Sequence, residues 1–176
     1  MLKWHSNSIV FGIEDNYLIC EDEYLQPALT SLLYFGSLLG FFVIPYIADN
    51  YGRKLAIVIS WSIFIFGISI LSLANSVLMI GMGQLLSGFG INPAITLSYS
   101  FINEQCLGKN RQLYSIMIQI SFAIGECMIA FIFLSTFDWR SILKIILIFS
   151  VGALLCLFYL VESPQFLVTK DRKKAL

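Results

Sequence analysis

Gly36-Ser-Leu-Leu-Gly40-Phe-Phe-Val-Ile-Pro45-Tyr-Ile-Ala-Asp49-Asn-Tyr-Gly52-Arg53-Lys54 is the stretch on which the fold turns. Apolar residues lead into it from Pro27, and an equally apolar run resumes at Leu55. Between them stands only a short polar break holding Asp49, Asn50, Arg53 and Lys54. The same alternation repeats along the chain, giving apolar runs at Pro27–Ile47, Leu55–Ala74, Val77–Phe101, Tyr114–Ser135 and Ile142–Val161. Each is about 20 residues long, enough to cross a hydrocarbon core about 30 Å thick. Lipid offers no hydrogen bonds, so isolated spans must satisfy their backbone groups internally, as helices. The sequence therefore predicts an all-α membrane protein with five transmembrane helices.

Composition agrees. Hydrophobic residues make up 58% of the 176 residues and charged residues 12%. A soluble domain carries about 25% charged residues to solvate its surface. The formal net charge is zero, so total charge says nothing about nucleic-acid or acidic partners and the distribution of charge matters instead; no nucleic-acid partner is expected. Four cysteines (Cys20, Cys106, Cys127 and Cys156) stand far apart without histidine partners, and no metal site or cofactor is expected. No span carries clustered His, paired Asp or an activated nucleophile, which argues against an enzyme. Met1 to Cys20 contains His5, Glu14 and Asp15 and lacks the continuous apolar core of a secretory signal.

The chain divides into an external segment (1–26), the helical bundle (27–161) and a tail (162–176). Loops holding Arg53/Lys54 and Lys109/Arg111, with the tail's Lys170, Arg172, Lys173 and Lys174, lie on one side and carry eight of the eleven basic residues. Basic residues accumulate in cytoplasmic loops, so this side is expected inside and the N-terminus outside. Five spans with an external N-terminus and no signal sequence point to a missing upstream span. In the tail, Ser163-Pro164 reads as a helix cap followed by proline at the first helical position. Phe166 and Leu167 with the following basic residues then suggest a short amphipathic helix on the membrane surface.

Small residues mark close helix approach at Gly36-xxx-Gly40 and Gly90-xxx-Ala94. Gly88, Gly90 and Asn92-Pro93 within two turns suggest a kinked or loosened third span, serving either movement or packing. Polar residues inside spans are costly in lipid, and they point to a cavity. Asn92 and Tyr99 are seven residues apart on one helix face, and so are Gln119 and Glu126. Glu126 could pair with a cation, carry a coupled proton, or find a hydrogen bond near the outer interface. Gln84 suits helix-to-helix hydrogen bonding.

The opening stretch resembles the loop signature G-x-x-x-D-R-x-G-R-R/K between the second and third spans of the major facilitator superfamily. Glu162-Ser163-Pro164-Gln165-Phe166-Leu167 is similar to the E-S-P-R-W-L segment after the sixth span of organic cation/anion transporters and related sugar porters. Glu104 and Arg111 repeat their E-x6-R spacing, and Cys20-Glu-Asp is similar to the end of their large external loop. The pattern is broken at Pro45, Asn50, Gln84 and Gln165, which removes a glycine and arginines the family carries there. Members have about twelve spans in two six-span halves, and this chain corresponds to the second through sixth. By that resemblance, Asp49, Gly52, Arg53, Glu104, Arg111 and Glu162 belong to a gating charge network, with Asp49 contacting the opposite half. The plainer reading is a set of solvated loop charges, which suits Lys54 and Lys109 best. Tyr99 and Gln119 resemble cavity-lining positions, so that Tyr99, Gln119, Asn92 and Glu126 form the candidate solute site.

The function implied is transmembrane transport of a small organic solute, an organic ion or sugar-like molecule, by alternating access. The competing expectation is a truncated, non-transporting membrane protein that associates with a full transporter. The expected partners are the lipid bilayer, the solute, and a C-terminal half or another copy of the chain. The resembled family points to the plasma membrane.

Overall fold

A computed structural model of the protein describes residues 25–105, 111–136 and 139–159. The five apolar runs are five helices: α1 (Leu25–Tyr51), α2 (Arg53–Ser72), α3 (Val77–Gln105), α4 (Arg111–Thr136) and α5 (Trp139–Phe158). Each contains a segment apolar and long enough to cross a membrane. Helix ends fall beyond several of the hydropathy limits, because hydropathy marks the hydrocarbon crossing and a helix can continue past it. Asp49, Asn50 and Tyr51 thus prolong α1. The Gly52 N–H still donates to the Ala48 carbonyl at 3.1 Å, and the Asn50 amide donates to the Tyr46 carbonyl at 2.9 Å. The expected tail helix, Glu162 and Cys20 lie outside the described residues.

Two short connections shape the bundle. Gly52 alone separates α1 from α2, with φ 117° and ψ 149°, a backbone region that side chains all but exclude. Its carbonyl nevertheless accepts from the Ala56 N–H at 3.2 Å, so helical bonding continues on both sides of the turn. Between α2 and α3, Leu73 and Ala74 donate to the Ile70 and Leu71 carbonyls, which closes α2. Ser76 Oγ then accepts from the Met79 N–H at 3.3 Å and caps the start of α3.

α3 is the centre of the packing, held between α1 and α2. Glycines allow the approach. A Cβ at Gly36 would meet the Leu85 carbonyl, one at Gly40 that of Phe89, and one at Gly88 that of Leu33. Cα–H groups therefore lie against backbone oxygens along the α1–α3 seam, a weak but repeated attraction. Gly40 has a second effect. Pro93 has no N–H for the carbonyl four residues earlier, and that carbonyl belongs to Phe89, which Gly40 covers. The assigned helix passes through Pro93 without interruption, so the freed carbonyl is accommodated by packing. On the other side Gly90 lies against Ser60 and Phe64 of α2, and Ala94 is fully buried.

Two apolar clusters fill the bundle, one at each end. Leu29, Phe64, Ile68, Leu71, Ala74, Ile80 and Leu143 join α1, α2, α3 and α5 at the Arg140 end. Ile44, Ala48, Ala56, Ile57, Leu97 and Phe101 fill the Arg53 end. α5 packs on α2, whereas α4 has its main contacts with α3 and α5. None of the α4 span Gln112–Ile132 is buried. Large apolar residues such as Phe42, Phe66, Leu78, Phe131 and Ile148 are exposed, as expected of surfaces that face lipid.

Candidate functional site

The candidate site is built on the facing parts of α3 and α4. Along α3, Asn92, Thr96, Tyr99 and Asn103 follow helical spacing and lie along one face. Along α4, Gln112, Ser115, Gln119 and Glu126 do the same. Ser115 Oγ donates to Asn103 Oδ1 at 3.0 Å, which fixes the register of the two helices. They run in opposite directions, as consecutive spans must. Four residues back along α3 and four forward along α4 bring Tyr99 level with Gln119, about 6 Å from the Asn103–Ser115 bond. Asn92 and Glu126 lie seven residues further, each about 16 Å from that bond along its own helix.

An open cleft of about 620 Å³ lies at the shallow end, lined by Tyr99, Asn103, Gln112, Ser115 and Ile116. Four of its five lining residues carry a hydroxyl or an amide group. Tyr99 is 38% exposed, and Gln119 and Glu126 are exposed. By contrast, the crevice of about 330 Å³ between α4 and α5 is walled by residues such as Trp61, Ile129, Ile146 and Phe149. Its Ser150 hydroxyl is turned onto the Ile146 carbonyl at 2.7 Å. Its wall is almost wholly apolar.

Asn92 is half-buried, and its amide nitrogen donates to Ser37 Oγ of α1 at 2.6 Å. Ser37 is also within reach of the Leu33 and Gly88 carbonyls, at 2.9 and 3.1 Å. A polar chain thus crosses the glycine-lined seam and holds the Asn92 amide in one orientation.

The proposed charge residues occupy the end where the cleft lies. Arg53, half-buried at the first turn of α2, donates from Nη1 to Ser100 Oγ at 3.0 Å, next to Tyr99 in the chain. Asp49 is exposed, and Gly52 makes the turn between them. Lys54, expected to be a solvated loop charge, instead donates to the Phe158 carbonyl at 3.0 Å and so ties the start of α2 to the end of α5. A cation at a helix C-terminus is electrostatically favourable. Glu104 and Arg111 belong to α3 and α4, but their side chains lie outside the described residues, as does all of Glu162. Among the described residues no group of His, Cys, Asp or Glu is assembled to hold a metal ion.

Residues 5–175 match the family model described as sugar (and other) transporter. The chain belongs to that family. Its relatives include the Arabidopsis thaliana inositol transporter 4, 24% identical over 95% of this chain and 29% of the relative. The Mus musculus solute carrier family 22 member 3 is 29% identical over 90% of this chain and 29% of its own length. The Homo sapiens organic cation/carnitine transporter 2 is 26% identical over 88% of this chain and 28% of its own. The chain therefore spans less than a third of the length of each. These matches bear out the resemblance to major facilitator transporters, and with the five spanning helices they make this sugar-transporter family member a multi-pass membrane protein.

Of the four residues the sequence named within this family member, the structure sets Tyr99 in the cleft wall, ties Asn92 to Ser37 of α1, and leaves Gln119 and Glu126 exposed on α4. The sequence missed Ser37, Asn103, Gln112, Ser115 and Ser100. Asn103 and Ser115 were within reach of the same spacing argument, since each sits four residues from Tyr99 or Gln119. Ser37 carried no such signal, because its role depends on the tertiary approach of α1 to α3.

Proposed function

We propose that the chain forms part of one helical half of a transporter that moves a small organic solute by alternating access. The observation that carries this reading is the cleft between α3 and α4, lined by Tyr99, Asn103, Gln112 and Ser115 and bridged by the Ser115–Asn103 bond. Polar residues within spans are costly in lipid and customarily mark a substrate path. In transporters of this kind the solute site lies between repeats or bundles that rock about it. Tyr99 offers an aromatic face for a cation or an apolar ring, and Gln119, level with it, can donate and accept hydrogen bonds. Asp49, Gly52 and Arg53 belong to the gate at the cleft end, to which the family resemblance adds Glu104, Arg111 and Glu162. The names of the relatives, an inositol transporter and an organic cation/carnitine transporter, support a solute of that size and polarity.

The Arg53 end is cytoplasmic in this reading, the N-terminus is external, and the host is the plasma membrane. The positive-inside bias supports that orientation. In intact cells, an impermeant thiol reagent is expected to label Cys20 and to reach Cys106 only after permeabilisation. Labelling of Cys106 from outside reverses the orientation.

The transport reading is tested in a chimera in which this chain replaces the corresponding segment of the mouse relative. Saturable uptake is expected, and Tyr99→Ala or Gln119→Ala should raise the apparent KM about 5-fold at equal surface expression, the effect of losing roughly 1 kcal/mol of binding. Unchanged kinetics in both variants return the two residues to a packing role.

A further inference from the structure

The crevice between α4 and α5 repeats, at a second place in the bundle, the seat in which α3 is held. The interval in sequence from Gly40 to Gly125 is also the interval from Gly67 to Gly152. It relates Ile44 to Ile129, Ile57 to Ile142 and Phe64 to Phe149 as well. The pair α1–α2 thus recurs, in one register, as the pair α4–α5. The two pairs cross the membrane in opposite senses, because α1 and α4 are an odd number of spans apart. Inverted repeats of this kind are common in secondary transporters.

In the first pair these positions hold α3. A Cβ at Gly40 would meet the Phe89 carbonyl, and one at Gly67 the Ser87 backbone nitrogen. Ile44 and Ile57 share a buried cluster with Leu97 and Phe101 of α3, and Phe64 shares one with Ile80. In the second pair the matching positions hold no helix. Gly125, Ile129, Ile142 and Phe149 line the crevice, and a Cβ at Gly125 or Gly152 would meet nothing within 4 Å. Burial follows the same contrast: 50% of the α3 span, but 11% of the α5 span and none of the α4 span.

We propose that this crevice is the seat of one further membrane-spanning helix, contributed by a partner and carrying glycine, alanine or serine on both flanks. It runs parallel to α4, as α3 runs parallel to α1. A lipid acyl chain fits any apolar surface and gains nothing from a glycine. A helix does gain, because association in lipid depends on close backbone packing. A second copy of this chain has no suitable helix to offer. Its α3 sets Gly88 against α1 and Gly90 against α2, and is already enclosed by both. Its α4 and α5 carry one glycine each, too few for close approach to two neighbours.

The test uses this chain in lipid nanodiscs, with Trp4→Phe and Trp139→Phe leaving Trp61, on the crevice wall, as the fluorophore. Lipids brominated in the acyl chain are expected to quench Trp61 through the open crevice. A synthetic peptide of residues 77–105, the sequence that fills the matching seat, should relieve the quenching. It should do so at about 10-fold lower concentration than a polyleucine helix of equal length, a difference within reach of close packing against the two glycines. Gly125→Leu or Gly152→Leu should remove that advantage. Both substitutions project into open space in the chain itself, so circular dichroism should show unchanged helix content. Ala123→Leu, in a different groove of α4, should leave the advantage intact. Quenching that neither peptide relieves makes the crevice a lipid site and overturns the proposal. Equal relief by the two peptides, or an advantage that survives both glycine substitutions, also overturns it. Relief produced by concentrating the protein without peptide assigns the seat to a second copy instead. Uptake by the chimera decides the transport reading separately.

Discussion

Gly88→Leu is expected to pull α1 away from α3 and to cost at least about 3 kcal/mol of stability, the upper end of the usual overpacking range. The reason is what a side chain would strike. A Cβ at Gly88 runs into the Leu33 backbone carbonyl and close to Ser37 Oγ. A flexible side chain could move aside, but a helix carbonyl cannot move without the helix. Separation would also remove the facing contacts of Gly36 with Leu85 and Gly40 with Phe89, together with the Asn92–Ser37 bond. In lipid these losses are not offset by water leaving apolar surface, because helix association there depends on close packing and hydrogen bonds. Gly125 provides the contrast. A Cβ there meets nothing within 4 Å, so Gly125→Ala should gain up to about 1 kcal/mol from helix propensity. Reversible unfolding in mixed detergent micelles measures both. A Gly88→Leu protein as stable as wild type would show that the seam is not tightly packed.

The five helices were legible in the sequence because hydropathy over about 20 residues reports a single strong effect, the exclusion of charge from hydrocarbon. The helix ends were less legible. Asp49 to Tyr51 read as loop because they are polar, yet helical bonding carries on to Gly52. The glycines of the first span were readable as a contact surface, since small residues facing one way have few other uses. Their partners were not, because the Leu85 and Phe89 carbonyls are backbone atoms that carry no sequence signature.

For the site, seven-residue spacing was enough to place Asn92 with Tyr99 and Gln119 with Glu126. It could not say where α3 and α4 touch. That information resides in one bond, Asn103 to Ser115, which depends on how the two helices approach each other. The expectation for Lys54 failed for a related reason. A lysine beside a loop has many ways to be solvated, and only the end of α5 arriving beside it supplies the Phe158 carbonyl.

Gly52→Val is expected to be the most damaging single change at the α1–α2 turn, with a loss of about 3 kcal/mol. With φ 117° and ψ 149°, Gly52 occupies a region essentially reserved for glycine, where other residues incur about 1–3 kcal/mol of strain. β-branching adds further restriction at χ1, and the residue is buried, so no outward shift relieves the crowding. Relaxing φ toward negative values would re-aim α2 relative to α1, since one residue makes the whole connection. Two consequences follow at the site. Arg53 would leave Ser100, and Asp49 would change its position relative to the arginine. Gly52→Ala separates the two contributions, because it keeps the backbone strain without β-branching and should retain most of the loss. In the chimera, the Gly52 variants should lower maximal uptake more than they change apparent KM, because the turn is assigned to the gate, whereas Tyr99 and Gln119, assigned to the solute, stand on α3 and α4 rather than on the turn itself. A Gly52→Ala protein within about 0.5 kcal/mol of wild type, the range of an ordinary surface substitution, with full uptake, would show that the turn tolerates negative φ and that its geometry does not set the gate.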